Sequence, residues 1–229
     1  MTQPKAVVLL SGGLDSSTVL YGAKAQGYQL FALSFDYQQR HQRELQAARA
    51  IAHQAGVTEH RVIQFDLRQW GGSALTGETA IPQDRPLAVM GEGIPVTYVP
   101  ARNTIFLAFA LAYAEATGAG TVLLGAHIQD YSGYPDCRPD YLAAMGEVYR
   151  LGTKVGREGQ PIQLIAPLIQ LSKREIIQLG DRHGVPWALT YSCYQGRELA
   201  CGRCDSCLLR QQAFQDLGRE DPIAYDTPS

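Results

Sequence analysis

Short apolar runs alternate along this chain with stretches of about a dozen residues in which apolar and polar positions repeat with a helical period. Residues 6–10, AVVLL, form the first run, and SSTVLYGAKAQ predicts a helix over 16–26 that stops at Gly27. A second strand is predicted over 28–35, YQLFALSF. The next helix carries Leu45, Ala48, Ile51 and Ala55 on one face and ends at Gly56. Further strands are predicted over 60–67, 121–126 and 162–168, and SKRE at 172–175 has the form of a capping box, opening a helix that closes at Gly184. Strands of this length alternating with helices predict an α/β fold, a mostly parallel five-stranded sheet with helices on both faces.

Two regions depart from the rhythm. Residues 70–103 are broken by Gly71, Gly72, Gly77, Gly91, Gly93, Pro82, Pro86, Pro95 and Pro100, and a loop of that length is expected to be functional or mobile. From residue 185 onward the pattern gives a loop, a cysteine cluster, a last helix over 205–217 and a tail, EDPIAYDTPS, expected to fray. The division expected is therefore an α/β unit over 1–184 and a small cysteine-bearing region over 185–229 packed on it. TIFLAFALAYAEAT (104–117) is the longest apolar stretch; it is shorter than the roughly 18 to 20 residues a bilayer span needs and predicts a buried helix with Asn103 as its N-cap.

Composition narrows the function classes. With 229 residues, 45% of them hydrophobic, the chain can bury a sizeable core. Its 20 basic and 22 acidic residues leave a net charge of -2, without the basic excess of a nucleic-acid-gripping protein, so a small ligand is the expected partner. The strand beginning at residue 6 leaves no room for a signal peptide, and a cytoplasmic location, away from membranes, is expected.

The glycine turn after the first strand, LLSGGLDSS, lies where parallel sheets bind ligands. Gly12 and Gly13 let backbone N–H groups approach an anion, the following helix presents its positive end, and Ser11, Ser16 and Ser17 add donors. A tight turn with a serine cap would explain the glycines equally well. Neither the Walker pattern nor Gly-x-Gly-x-x-Gly is present. Cys193, Cys201, Cys204 and Cys207 are spaced x7, x2, x2, which suits one tetrahedral structural Zn²⁺ per chain; an iron–sulfur cluster could use the same ligands.

SGGLDS resembles the Ser-Gly-Gly-x-Asp-Ser pyrophosphate loop of the ATP pyrophosphatases, which cleave ATP between the α and β phosphates. The resemblance implies a Rossmann-like adenine-nucleotide α-hydrolase fold, with ATP and Mg²⁺ at Leu10, Ser11, Gly12, Gly13, Leu14, Asp15, Ser16, Ser17 and Phe35, Asp15 serving the metal. Together SGGLDSSTVL, FDYQQRH, VPARNTIFLAFA, DYSGYPDCRPD and SCYQGRELACGRCDSCLLR resemble, in order and over nearly the full length, the 7-cyano-7-deazaguanine synthase family. Ser17 and Val19 stand where that family often has Thr and Cys, and Ala101 where it often has Gly, so position 101 is expected to have a backbone that tolerates a Cβ.

This second resemblance implies conversion of 7-carboxy-7-deazaguanine, ammonia and ATP to the nitrile through adenylated acid and amide, one zinc, and a homodimer. For such a reaction Asp15, Arg102 and Lys173 are the candidate catalytic groups, and the polar clusters at the strand ends offer Tyr37, Arg40, His41, Asn103, Asp130, Tyr131, Ser132, Tyr134, Asp136 and Arg138 as candidates around the substrate. Arg174 is a further candidate for anionic groups, and Lys173 at a helix N-terminus is electrostatically misplaced unless an anion offsets it. Two other readings stay open: a tRNA-thiolating enzyme, which would need a persulfide cysteine and a basic face, and a zinc-stapled nucleotide-binding regulator without chemistry.

Overall fold

The computed structural model describes residues 3–39, 43–90, 93–127 and 133–226. Arg40, His41, Asp130, Tyr131 and Ser132, all expected at the substrate, lie outside the described residues. Strands β1 (Lys5–Leu9), β2 (Gln29–Asp36), β3 (Glu59–Gln64), β4 (Thr121–Leu123) and β5 (Gln163–Ile165) form one parallel sheet in the order β3-β2-β1-β4-β5. The α-helices among the described residues are α1 (Leu14–Ala25), α2 (Arg43–Ala55), α3 (Arg102–Thr117), α4 (Pro139–Gly152), α5 (Lys154–Arg157), α6 (Lys173–His183) and α7 (Asp205–Gln215).

The two-residue period of a strand sends β1 side chains alternately to the two faces. Ala6, Val8 and Leu10 pack with Leu20, Ile51, Ile176 and Phe214 beneath α1, α2, α6 and α7. Val7 and Leu9 pack on the other face with Leu107, Ala110, Tyr149 and the four clustered cysteines. The cysteine region thus contributes to both apolar layers. At α6, Ser172 accepts from Glu175 N while the Glu175 carboxylate accepts from Ser172 N, the reciprocal cap legible in SKRE.

Three expectations are corrected. Helix α3 starts at Arg102, so Asn103 is not its cap: Asn103 N donates instead to Asp136 Oδ2 at 2.9 Å, and the carboxylate serves the open helix end. Only one stripe of α3 is buried, Leu107, Ala110 and Ala114, while Phe109 is 39% exposed, because the helix covers the sheet on one side alone. Ala101 adopts φ +52°, a left-handed conformation in which a Cβ costs about 1 kcal/mol, so the position does not relieve the strain glycine would avoid.

The tail expected to fray is tied down as far as Asp226. Ala200 N donates to Ala224 O and Asp226 N to Ala200 O. Arg210 and Asp221 form a buried pair with two hydrogen bonds at 2.6 and 2.9 Å, and Thr190 and Tyr225 complete the set. Sequence pattern could not disclose this, since the partners are charged residues that pattern alone assigns to the surface. Removing one partner strands a buried charge: Arg210→Met should cost ~3 kcal/mol or more, read as a drop of roughly 6 °C or more in thermal midpoint, and Arg210→Met with Asp221→Leu should recover part of it.

Candidate active site

The strand order reverses direction between β1 and β4, and parallel sheets bind ligands at the carboxyl edge of such a point. A cavity of about 290 Å³ lies there, lined by Leu9 and Leu10 at the end of β1, Phe35 and Tyr37 at the end of β2, and the 124–127 segment after β4. Residues 70–100 close part of it through Leu75, Met90 and Pro95. That segment is fastened, not loose, where it meets the cysteine region: Asp84 N donates to Arg203 O at 2.8 Å, and Arg203 Nε donates to the Asp84 carboxylate at 2.9 Å.

Within the glycine turn the residues divide by direction. Leu10, Ser11, Gly13, Asp15 and Ser16 line the cavity. Leu14 and Ser17 are buried and their side chains lie outside the cavity lining, Leu14 in the layer beneath α1. Gly12 has the positive φ expected of the turn and also carries a packing role. It has φ +82°, and a Cβ there would meet Glu44 O at 2.6 Å and collide with Ala48 N, so its missing side chain lets α2 pack against the turn.

Lys173 Nζ donates to both oxygens of Asp15, at 2.7 and 2.6 Å, joining the first turn of α1 to the first turn of α6 across 158 residues of sequence. Asp15 is the anion that offsets the helix end on which Lys173 sits. The same ammonium donates to His127 Nε2 at 2.8 Å, which requires the lone pair on that nitrogen. Burial alone would raise the Asp15 carboxyl, but the Lys173 charge wins and holds it below the ordinary carboxylate range. His127 was not singled out in the sequence; its signal was a lone histidine directly after the strand at the switch point.

Arg102, at the first residue of α3, enters the cavity wall with its buried Nε lacking a partner among the described residues. Despite burial, Tyr37, Cys137 and Asp136 around it secure its positive charge. Tyr37 is buried, its hydroxyl pushed up to about 12 by burial, and it hydrogen-bonds Arg102. Phe35 is stacked on Phe106 with centroids 3.9 Å apart and forms wall. Tyr134 and Asn103 also line the cavity, and Asn103 Nδ2 donates to Asp136 O and contacts Cys137 Sγ at 3.1 Å.

Asp136 is buried but spent on the start of α3, outside the cavity lining. Arg138 is exposed and faces Asp140 at 3.5 Å, and Arg174 is exposed; neither reaches the cavity, because each points outward from its helix end. Glu44, which was not singled out in the sequence, lines the cavity and is held there by Gln39. Gln39 Nε2 donates to Glu44 Oε1 at 2.7 Å, and burial pushes the Glu44 carboxyl up to about 7.

Cys193, Cys201, Cys204 and Cys207 are all buried, with their sulfurs within 4.8 Å of one another, so the four could hold a metal ion. A tetrahedral Zn–S bond of about 2.3 Å sets sulfurs ~3.8 Å apart, and Cys201 Sγ to Cys207 Sγ is 4.0 Å. Backbone N–H groups of Gln195 and Cys201 point at Cys193 Sγ, and those of Arg203 and Cys204 at Cys201 Sγ, at 3.3 to 3.5 Å, an arrangement that favours thiolates. The next residues, Ser192 and Tyr194, line the cavity, so the cluster buttresses one wall of it.

The family model described as "Queuosine biosynthesis protein QueC" matches residues 5–218. A 7-cyano-7-deazaguanine synthase of Nostoc sp. (strain PCC 7120 / SAG 25.82 / UTEX 2576) is 65% identical over 96% of this chain and 97% of its own length. One from Thermosynechococcus vestitus is 65% identical over 98% and 97%, and one from Saccharophagus degradans is 53% identical over 98% and 99%. Among solved structures, the NMN synthetase from Francisella tularensis superposes with a TM-score of 0.52 at 18% identity, covering 95% of this chain and 79% of that one, a likeness of fold. Matched along nearly its whole length by that model and by these relatives, the chain belongs to the queuosine biosynthesis protein QueC family.

Proposed function

We propose that this chain is an ATP-dependent carbon–nitrogen ligase that converts 7-carboxy-7-deazaguanine and ammonia into 7-cyano-7-deazaguanine for queuosine biosynthesis. The observation that carries the reading is the convergence of the Ser11–Gly13 turn, Lys173 and Arg102 on one cavity at the β1/β4 switch point, in a chain 65% identical to proteins named for that product. A carboxylate resists ammonia because oxide is a poor leaving group. Its attack on the α-phosphorus of ATP replaces oxide by AMP, and pyrophosphate departs toward the turn. Ammonia then displaces AMP to give the amide, whose oxygen attacks a second ATP, and loss of that AMP leaves the nitrile. Lys173 and Arg102 supply positive charge where phosphate oxygens gain negative charge, each worth about 3 kcal/mol at the transition state.

Mg²⁺ would be held from Asp15 and would neutralise polyphosphate charge; zinc in the cysteine set would staple the wall and leave no open position. Residues 1–184 read as the nucleotide-binding unit and 185–229 as the metal-binding region. A cytoplasmic homodimer fits: among the described residues no helix is long and apolar enough to cross a membrane, and α3 and α4 expose Phe109, Val148 and Leu151.

The test is product stoichiometry. Incubation with ATP, ammonium and the carboxy-deazaguanine should give two AMP and two pyrophosphate per nitrile, with labelled ammonium nitrogen in the product. Formation of ADP, or no substrate-dependent AMP, overturns the proposal. Nitrile formation excludes thiolation and a chemistry-free regulator together.

A further inference from the structure

The reaction just proposed strips three protons from nitrogen: one as ammonia becomes the amide, two as the amide becomes the nitrile. Something in the cavity must receive them. Among the described residues three carboxylates line it: Asp15, Glu44 and Asp205. Asp15 is clamped through both oxygens by Lys173, which makes it a weak base. Asp205 accepts from Arg85 at 2.8 Å and follows the metal ligand Cys204.

Glu44 differs from both. Its one hydrogen-bond donor among the described residues is the neutral amide of Gln39, and that amide is itself locked, donating to Phe35 O at 3.2 Å and accepting from Tyr37 N at 2.9 Å. The close approach of α2 to Gly12 sets the backbone of Glu44 beside the phosphate-binding turn. Arg102 from α3 is the cation facing it, Tyr37 from the end of β2 lies against the same pair, and Asp15, Lys173 and Asp205 face the common cavity.

We propose that Glu44 is the general base that takes the protons leaving nitrogen in both halves of the reaction. The inference rests on the reading of the reaction above. In the first half, the N–H bond of the tetrahedral adduct breaks, its electron pair stays on nitrogen as AMP leaves, and the proton goes to the Glu44 carboxylate. In the second, the two amide N–H bonds break, one on O-adenylation and one as AMP departs and the C≡N bond forms; Glu44 receives these protons and passes them to solvent. Its carboxyl, raised by burial to about 7, is matched to proton transfer at neutral pH, and as a base it must be ionised, so turnover rises with pH through about 7.

The experiment supplies the 7-carboxamide and ATP, removing ammonia from the pH dependence, and follows nitrile formation from pH 5.5 to 9. Glu44→Gln should lower kcat by roughly 10²-fold or more and abolish the limb near pH 7, while Glu44→Asp restores part of both. Pyrophosphate exchange driven by the carboxylate substrate, which moves no nitrogen proton, should fall at least tenfold less than nitrile formation. An active wild type whose rate and pH profile are unchanged by Glu44→Gln refutes the role of Glu44 alone. Equal losses in exchange and nitrile formation refute it as well, in favour of mere positioning. A wild type that forms no nitrile from the amide refutes the reaction, and the role with it.

Discussion

Lys173→Met lowers nitrile formation by at least about a hundredfold and destabilises the fold at the same time. Loss of one preorganised donor to a developing anion costs about 10² to 10³ in rate, and Lys173 is held in place by Asp15 and His127. Stability falls for a separate reason. Asp15 retains its charge with side chains 15% and 24% exposed around the broken pair, a partly buried setting that should cost ~2 kcal/mol, or roughly 4 to 8 °C in thermal midpoint. The two effects separate in the double variant Asp15→Asn/Lys173→Met, which should regain thermal stability and stay inactive. Recovery of turnover in the double variant would show that Lys173 serves only to neutralise Asp15.

Cys204→Ser has the largest expected effect on the molecule as a whole. A wild-type chain should carry about one zinc by elemental analysis and the variant close to none. Apparent zinc binding to such four-ligand sites is worth about 10 to 16 kcal/mol in isolated peptides, comparable to or above the 5 to 15 kcal/mol that holds a typical domain. Soluble yield should therefore fall severalfold, and prolonged treatment of the wild type with a strong chelator should reproduce the loss. Activity goes with stability here, since Ser192 and Tyr194 flank Cys193 and line the cavity. A metal-free variant with an unchanged thermal midpoint would sink the structural role, and a coloured protein with iron would replace zinc by a cluster.

Much of this was legible before any coordinates. Each strand was found, though the fourth ran long, 121–126 against Thr121–Leu123, because the chain stays apolar where it leaves the ladder to wall the cavity. The cap at Ser172 was readable because it is local, a matter of three residues. Asn103 misled for the converse reason: a good capping residue on local grounds is overruled by the Asp136 carboxylate, which arrives from 33 residues away.

What the amino-acid order determined alone was periodicity and spacing: a parallel sheet, a glycine turn after its first strand and four metal-spaced thiols, each written in residues near one another along the chain. Only the tertiary structure decided which polar groups meet. The Lys173–Asp15–His127 contact, the buried Arg210–Asp221 pair and the placing of Glu44 beside the turn through Gly12 join residues from separate segments. A charged side chain reads as surface in any sequence; it becomes part of a site only when packing removes water and leaves one partner within reach.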